Sequence, residues 1–185
     1  MKKIFSICTA LLLGGCLGMP KNIIPVKEFQ LDRYLGTWYE IARLDHSFER
    51  GMEQVTAEYS LRDDGGVAVK NRGFLTAKKE WKQALGKAFF VEDPNTGYLK
   101  VSFFGPFYGS YVIFELDKEE YQYAFVAGPD TSYLWLLART PTVAPELVER
   151  FTTQAKELGF PVEELILVQQ KDLAVTPSPE KGAGE

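Results

Sequence analysis

The chain has 185 residues, of which 45% are hydrophobic and 14% aromatic, and a formal net charge of −4. This length supplies one well-filled domain and is short for two. The mildly acidic balance argues against nucleic acid as a partner and against polybasic adhesion to anionic lipid heads. Both cysteines, Cys8 and Cys16, lie in the first sixteen residues, so the rest of the chain offers no disulfide and no thiolate metal ligand.

The N-terminus has the layout of a secretory signal peptide. Lys2 and Lys3 precede an apolar stretch, residues 4–13, which ends at two glycines. The stretch is too short for a permanent membrane helix, which needs about 20 apolar residues. A buried N-terminal helix is the alternative interpretation.

The run Leu13-Gly14-Gly15-Cys16 resembles the bacterial lipobox. In that motif the cysteine thiol receives a diacylglycerol, the peptide is cut before the cysteine, and the new amine is acylated. The resemblance implies a signal peptide at residues 1–15, lipidation at Cys16 and attachment to a membrane through this anchor. Because Leu17, and not an aspartate, follows the cysteine, it also implies the outer membrane of a bacterial envelope, on the periplasmic side.

Proline content divides the remainder of the chain. Residues 16–28 contain Pro20 and Pro25 and are predicted to form the lipidated tether. Residues 171–185, rich in proline and glycine, are predicted to be a disordered tail. The predicted folded domain is therefore residues 29–170.

Within that domain, aromatic and β-branched runs alternate with turn residues, the pattern of an up-and-down antiparallel sheet. The clearest turn is Asp63-Asp64-Gly65-Gly66, since glycine accepts a positive φ. Eight meandering strands favour a closed barrel with room for one small ligand, although a two-sheet sandwich requires the same alternation. The predicted strands are 37–43, 53–62, 66–74, 80–91, 98–104, 110–116, 121–127 and 133–139.

The pattern changes after the eighth strand. Pro145 is placed to open a helix and Gly159 to end it. Apolar residues recur at helical spacing between them and predict a helix packed on the outside of the sheet, with a partner groove as the alternative. A short ninth strand is predicted at residues 165–168.

Two motifs at the ends of the predicted sheet resemble those of the lipocalin family. The run 36–40, Gly-Thr-Trp-Tyr-Glu, matches the Gly-x-Trp signature, and the run 133–139 matches the last-strand motif that ends in arginine. The resemblance covers nearly all of residues 29–170 and is greatest for bacterial lipocalins related to apolipoprotein D. It implies an all-β fold: an eight-stranded antiparallel up-and-down β-barrel, with one C-terminal α-helix packed outside and a short ninth strand.

The same resemblance implies a barrel floor made by Trp38 and Arg139. A guanidinium stacks on an indole face by cation–π attraction and can donate hydrogen bonds to carbonyls in its own plane. Arg139 is therefore expected to lie across Trp38 and to close one end of the barrel.

Strand alternation and the resemblance together assign the interior. With Trp38 and Arg139 inward, Glu40, Ala42 and Leu137 are expected to share their face. The hydroxyls of Tyr59, Tyr108, Tyr111 and Tyr133 are expected toward the mouth. Arg43 and Arg50 are expected to flank the mouth, with no basic side chain inside the cup near its opening. Phe48 is a candidate lid residue or loop anchor. The predicted ligand-binding residues are Ala57, Tyr59, Val69, Asn71, Val101, Phe103, Tyr108, Tyr111, Ala124, Val126, Tyr133 and Trp135.

This lining is mostly apolar and suits a hydrocarbon chain. About ten buried methylenes contribute roughly 8 kcal/mol before association costs are subtracted. Fatty acids and lysophospholipids are both expected as ligands, as the resemblance also implies. The prediction is a membrane-anchored lipid-binding protein that stores or transports single-chain lipids in the envelope. A structural or docking lipoprotein with a filled barrel is the alternative, and a homodimer stays open.

No catalytic residue, metal site or cofactor is predicted. The few catalytic lipocalins use a cysteine inside the barrel, whereas Cys16 is the site expected to be acylated. His46 is the only histidine, and its neighbour Ser47 is poorly placed for a catalytic pair because adjacent residues rarely face each other. Haem is disfavoured for the same reason, since it usually requires an axial histidine or cysteine in a pocket.

Overall fold

Nine β-strands form one sheet in the computed structural model, which describes residues 17–170. Neighbouring strands follow the order β2 to β8, then β1 and β9, and β1 also pairs with β2. The first eight strands therefore close into the predicted antiparallel barrel, and not into a sandwich. The strands are β1 Gly36–Arg43, β2 Met52–Leu61, β3 Val67–Leu75, β4 Glu80–Phe90, β5 Tyr98–Phe104, β6 Phe107–Leu116, β7 Tyr123–Ala127, β8 Leu134–Ala138 and β9 Ile166–Leu167.

The predicted strand limits differ from the observed ones at two turns. β6 begins at Phe107 and not at residue 110, because residues 105–106 form a shorter turn that lets Phe107 pair with Phe104. β7 begins two residues later than predicted, since Tyr121 has a left-handed φ of 57° and belongs to the preceding turn. The predicted signal peptide, Cys16 and residues 171–185 lie outside the described residues.

Residues 17–28, the predicted tether, lie along the outer wall of the barrel. Ile23 is buried in the outer core, the hydrophobic cluster that the barrel wall forms with the helix Pro145–Glu157. The Val26 amide donates to the Ile113 carbonyl over 2.9 Å, and the Gly97 amide donates to the Val26 carbonyl over 2.9 Å. The segment is therefore joined to the barrel by backbone hydrogen bonds before it reaches the short helix α1, Leu31–Tyr34.

The antiparallel order places the connections between strands at two ends of the barrel. The open end carries residues 44–51, 76–79, 105–106 and 128–133. The closed end carries residues 62–66, 91–97 and 117–122, and α1 lies there with Tyr34 buried against Trp38. Any access to the barrel interior is therefore through the first set of loops.

The helix α2, Pro145–Glu157, covers one side of the barrel as predicted. Pro145 starts it, and the chain leaves it at Gly159, whose φ of 88° glycine adopts without strain. Phe151 and Ala155 are fully buried, and the Phe151 ring lies 4.9 Å from the Phe125 ring in an edge-to-face arrangement. The apolar stripe is thus used for packing, and not as a partner groove.

The strand β1 changes partners half way along its length. It pairs with β2 only over residues 36–39, and β9 pairs with its last two residues. Between them, the Gln170 side-chain amide donates to the backbone carbonyls of Glu40, over 2.7 Å, and Val55, over 2.9 Å. Residues 166–170 therefore complete the wall between β1 and β2 in the half that lies toward the open end.

Candidate ligand-binding site

The floor of the barrel is a stack of Arg139 on Trp38. The Arg139 Cζ atom lies 3.9 Å from the centre of the indole ring. The guanidinium donates to the carbonyl oxygens of Thr37 (2.9 Å), Arg33 (2.6 Å) and Tyr121 (3.3 Å). Trp38 is fully buried, and its Nε1 donates to the Tyr34 carbonyl over 2.7 Å. The arginine thus ties the start of β1 to α1 and to a closed-end turn.

Side chains that pair across neighbouring strands share a face of the sheet. Trp38 pairs with Ala57, Ala57 with Asn71, and Asn71 with Ala84. This row therefore crosses the inside of the barrel, in the space above Trp38 that we call the cup. Most predicted interior residues belong to, or pack against, the same cluster as Trp38: Ala57, Tyr59, Val69, Val101, Phe103, Tyr111, Ala124, Val126 and Trp135.

The cup has open space above its floor. The inward positions of β4 carry the small residues Ala84, Gly86 and Ala88. Ala57 and Val101 face inward and are only half-buried, although each is paired with a strand on both sides. Exposed surface at such positions borders space inside the barrel. Ala84 also faces inward and is exposed, but it lies in the part of β4 that extends beyond the pairing with β5.

Two residues predicted to face the cup face outward. The Lys100 ammonium lies 5.4 Å from the centre of the Tyr108 ring, and Lys100 alternates with the inward Leu99 and Val101. Tyr108 is therefore on the outer surface. The expectation for Ala42 is also wrong, because it packs in the outer core beneath α2.

The reversal at Ala42 is caused by a β-bulge. The pairing of β1 with β8 shifts between Glu40 and Ala42, which pair with the successive residues Leu137 and Leu136. A bulge inserts one extra residue and reverses the faces of the residues that follow it. Arg43, expected to flank the mouth, is consequently turned into the cup.

Arg43 is the centre of a buried polar cluster that we call the polar wall, formed by Glu40, Arg43, Glu49 and Trp135. Arg43 Nη1 donates to Glu40 Oε1 over 2.7 Å, and Nη2 donates to the Glu49 carbonyl over 2.9 Å. Trp135 Nε1 donates to Glu49 Oε2 over 3.1 Å. Glu40, Arg43 and Glu49 are each at most 5% exposed. The expectation that nothing basic lies inside the cup is therefore wrong.

The electrostatics of the polar wall are set by burial. Burial raises the pKa of Glu40 well above its ordinary value, the charge of Glu49 raises it further, and Arg43 opposes both effects. Burial also raises the pKa of Glu49, against the hydrogen bond from Trp135 and the charge of Arg43. The two carboxyls therefore hold protons more readily than exposed glutamates, which reduces the negative charge beside the guanidinium.

Three buried polar atoms that face this region have no hydrogen-bond partner among residues 17–170. They are Arg43 Nε, Asn71 Oδ1 and His46 Nε2. A buried donor or acceptor without a partner is costly, so such atoms mark places where a ligand or water can bind. The cup thus offers a donor on Arg43 and an acceptor on Asn71.

Three tyrosine hydroxyls meet above the floor. The Tyr111 hydroxyl lies 2.7 Å from that of Tyr34 and 2.8 Å from that of Tyr59. Tyr34 also packs against Trp38, with the ring centres 4.7 Å apart and the rings tilted by 32°. The expectation that Tyr59 and Tyr111 present hydroxyls at the mouth is therefore wrong. Burial raises the pKa of Tyr59, so this chain of hydroxyls stays neutral and holds the lower end of the cup together.

The mouth is bordered by a stack of three rings. His46 lies between Phe48, at 5.2 Å, and Tyr133, at 4.8 Å, and both neighbours are within 10° of parallel. Phe48 remains half-exposed on the outside of the stack, an arrangement that anchors its loop. Arg50, predicted beside the mouth, pairs with Asp45 at the surface.

The His46 imidazole is expected to titrate near pH 4. Burial lowers the pKa of His46 to about 4 from its ordinary 6.5, Arg43 lowers it further, and Asp45 and Asp130 oppose the shift. The unfolded chain takes up this proton near pH 6.5 and the folded protein only near pH 4. His46 therefore makes the folded state less stable as the pH falls through that interval. Glu40 and Glu49 act with the opposite sign, because their folded-state pKa values are raised.

This titration can be measured directly by NMR, because His46 is the only histidine of the chain. Its imidazole carbon-bound proton should titrate with a midpoint near pH 4 in the folded protein. In urea the midpoint should return to about 6.5. A folded-state midpoint near 6.5 would contradict the buried stack.

Two further features bear on function. Residues 17–170 contain no group of three histidine, cysteine, aspartate or glutamate side chains suited to hold a metal ion. Within the same part of the chain, neither helix has the length and apolar character needed to cross a bilayer.

Comparison with known proteins gives consistent matches. A family model described as a lipocalin-like domain matches residues 29–170. The outer membrane lipoprotein Blc of Vibrio cholerae is 61% identical over 171 residues, 92% of this chain and 100% of that protein. The protein of the same name from Escherichia coli is 53% identical over 151 residues, 82% and 85% of the two chains. Insecticyanin from the tobacco hornworm has a TM-score of 0.66 at 20% identity, covering 84% of this chain and 88% of that one, a likeness of fold.

Proposed function

Since the chain belongs to the lipocalin family, we propose that its cup binds one single-chain lipid, a fatty acid or a lysophospholipid. The protein stores or transports this lipid in the cell envelope without catalysing a reaction. The relatives named outer membrane lipoprotein support its place at the outer membrane, with an anchor on Cys16. The observation that carries the proposal is the inward surface that stays half-exposed at Ala57 and Val101, which are paired with a strand on both sides.

The lipid lies with its hydrocarbon tail toward the floor. Val101 and Phe103 follow Leu99, the partner of Tyr111, toward the open end, and they line the cup above the tyrosine hydroxyls that cover Trp38. Arg43 is five residues beyond Trp38 along β1, roughly 15 Å at the usual rise of a strand. A tail of about ten methylenes in this apolar region contributes roughly 8 kcal/mol before association costs. The polar head then lies level with the polar wall.

The unpartnered atoms of the upper cup favour a lysophospholipid over a fatty acid. Arg43 Nε can donate to a carboxylate or to a phosphate, so it accepts either head. Asn71 Oδ1 requires a donor. An ionised fatty acid has none, whereas a lysophospholipid carries a glycerol hydroxyl. A lysophospholipid therefore satisfies both atoms at once.

Filling the cup should abolish lipid binding. Ala84→Trp places an indole ring beside Asn71 on the inward face, so the affinity for a single-chain lipid should fall about tenfold or more, equivalent to roughly 1.4 kcal/mol. Gln83→Trp is the matched control, because Gln83 pairs with Arg72 on the outer face. The measurement is native mass spectrometry of protein purified from membranes, followed by lipid extraction.

Wild type and Gln83→Trp should carry one single-chain lipid per barrel, or per pair of barrels, and Ala84→Trp none. Thermal melting of all three proteins establishes that each is folded. Equal lipid occupancy in Ala84→Trp would contradict the site. A wild-type protein without lipid, from which lysophospholipid displaces no fluorescent fatty acid, would favour the structural lipoprotein instead.

A further inference from the structure

We propose that the open end of the barrel docks on the membrane leaflet that holds the lipid anchor, so that the cup opens directly onto the lipid surface. The proposal rests on the proposed lipid-binding function and on the anchor at Cys16. Three independent features support it: the path of the N-terminal segment, the exposed aromatic side chains and the distribution of charge.

The N-terminal segment starts at the open end and runs to the closed end. The Leu17 carbonyl accepts a hydrogen bond from the hydroxyl of Tyr98, whose row across the sheet continues through Val112 to Ala127, the residue before the open-end loop 128–133. A methyl group added at Gly18 would lie 3.6 Å from the carbonyl oxygen of Pro129, in the open-end loop 128–133. Farther along, the Phe29 amide donates to the Asn95 carbonyl over 2.8 Å and the Gln30 amide to the Tyr121 hydroxyl over 3.0 Å, both in closed-end turns.

The anchor therefore leaves the fold beside the mouth. Successive Cα atoms are about 3.8 Å apart, so Cys16 cannot be farther than that from Leu17. A residue fixed to the bilayer and joined so closely to the open-end loop keeps that end near the lipid surface. The segment allows no long spacer between the anchor and the barrel, in contrast to a free tether.

The exposed aromatic side chains surround the same end. Phe104 and Phe107, in the β5–β6 hairpin, are 81% and 70% exposed. Phe48, in the loop after β1, is 53% exposed, and Trp81, at the start of β4, is 44% exposed. These four are the exposed phenylalanine and tryptophan side chains of residues 17–170, and all lie at the open end. Aromatic rings at a protein surface are favoured at the interface between lipid and water.

The charges of the connections differ between the two ends. The closed-end turns, 62–66, 91–97 and 117–122, carry seven acidic and two basic side chains. The open-end loops, 44–51, 76–79, 105–106 and 128–133, carry three of each. An anionic leaflet therefore repels the closed end and leaves the open end as the face that approaches it. In this orientation a lipid moves between membrane and cup without crossing water.

The orientation can be tested with a single fluorophore, because the only cysteine of the mature chain is the acylated one. Phe107→Cys places a label at the mouth, and Asp63→Cys places the same label in a closed-end turn. Each full-length lipidated protein is reconstituted in vesicles of phosphatidylethanolamine and phosphatidylglycerol that contain nitroxide-bearing lipids. Phe104→Cys repeats the mouth measurement if Phe107→Cys does not fold, as judged by thermal melting.

The mouth label should be quenched by the nitroxide lipids about threefold or more in excess of the label at position 63, and its emission should shift to the blue. Equal quenching at both positions, or stronger quenching at position 63, would overturn the proposal. A blue-shifted mouth label that lipid nitroxides do not quench, with energy transfer between copies, would assign the mouth to a second copy of the chain and also overturn it.

The same labelled proteins separate this proposal from the lipid-binding function. Adding Ala84→Trp should remove the bound lipid and leave the quenching of the mouth label unchanged. Loss of lipid with unchanged quenching supports the orientation independently. A protein that binds lipid but shows no difference between the two labels refutes the orientation alone.

Discussion

Replacing Arg43 by methionine is expected to lower the free energy of unfolding by about 3–5 kcal/mol, the usual cost of removing one partner from a buried ion pair. Methionine fills a similar volume but donates no hydrogen bond. The buried carboxyl of Glu40 loses its donor at 2.7 Å, and the Glu49 carbonyl loses its donor at 2.9 Å. Urea denaturation at neutral pH measures the change. A loss below about 1 kcal/mol would contradict the placement of Arg43 in the cup.

The double variant Glu40→Leu with Arg43→Met is the control for this prediction. Replacing both partners of a buried ion pair by apolar residues is often neutral or stabilising, so the double variant should be more stable than Arg43→Met alone. It should also bind lysophospholipid more weakly than wild type, because the donor on Arg43 Nε is gone. Stability recovered without a loss of affinity would remove Arg43 from the headgroup site.

The instability of Arg43→Met should also depend on pH. Burial and the charge of Glu49 already raise the pKa of Glu40, and removal of Arg43 eliminates the group that opposes them. A carboxyl with a raised folded-state pKa supports the fold while it is protonated, and this support is lost as the pH rises through that pKa. The destabilisation of Arg43→Met relative to wild type should therefore be smaller at pH 5 than at pH 8.

The second large effect is expected at the barrel floor. Trp38→Ala should lower the free energy of unfolding by about 3–5 kcal/mol, a typical cost of deleting a buried tryptophan. It also removes the donor to the Tyr34 carbonyl and the ring beneath Arg139. The melting temperature should fall by roughly 10 °C or more for a domain of this size.

Trp81→Ala provides a matched control, because Trp81 also carries a stacked guanidinium. The Arg72 Cζ atom lies 3.8 Å from its ring centre, but the ring is at the surface. Deleting it should cost about 1 kcal/mol or less, the usual value for an exposed cation–π pair. Similar losses for the two variants would mean that burial at the floor contributes nothing beyond the stack.

The barrel was predictable because its determinants are local and repeated. Turn residues occur at regular spacing, alternation assigns a face to each strand residue, and Trp38 and Arg139 fix which face is inside. These signals suffice for the strand order, for the helix α2 and for most of the apolar lining. Each depends on only a few neighbouring residues, so tertiary packing has little opportunity to override it.

The polar wall was not predictable, because one inserted residue in β1 reverses the faces that follow it. No turn residue marks the bulge between Glu40 and Ala42, so simple alternation sends Arg43 outward. One signal was present: an inward glutamate requires a buried donor, and Arg43 is the nearest cation. Tyr108 and Tyr111 are three residues apart and cannot share a face in a regular strand. Alternation alone therefore excludes Tyr108 from the cup once Tyr111 is inward.

The N-terminal segment was predicted as a tether because its prolines suggest a linker. Its apolar residues, Met19, Ile23 and Val26, instead pack against the barrel. Tyr34 was missed for a related reason: a four-residue helix is too short to show periodicity. Both elements are positioned by contacts with strands far away in the sequence, which no local pattern records.

The closing of the wall by residues 166–170 has a consequence for biogenesis. Gln170 and Glu40, whose side-chain amide and backbone carbonyl are joined across this wall, are 130 positions apart in the chain. A nascent chain that emerges N-terminus first can pair the eight strands of the meander while a gap persists between β1 and β2 in the half toward the open end. The gap closes only when residues 166–170 arrive, so under the proposed function a lipid is retained only after both ends of the folded domain have met.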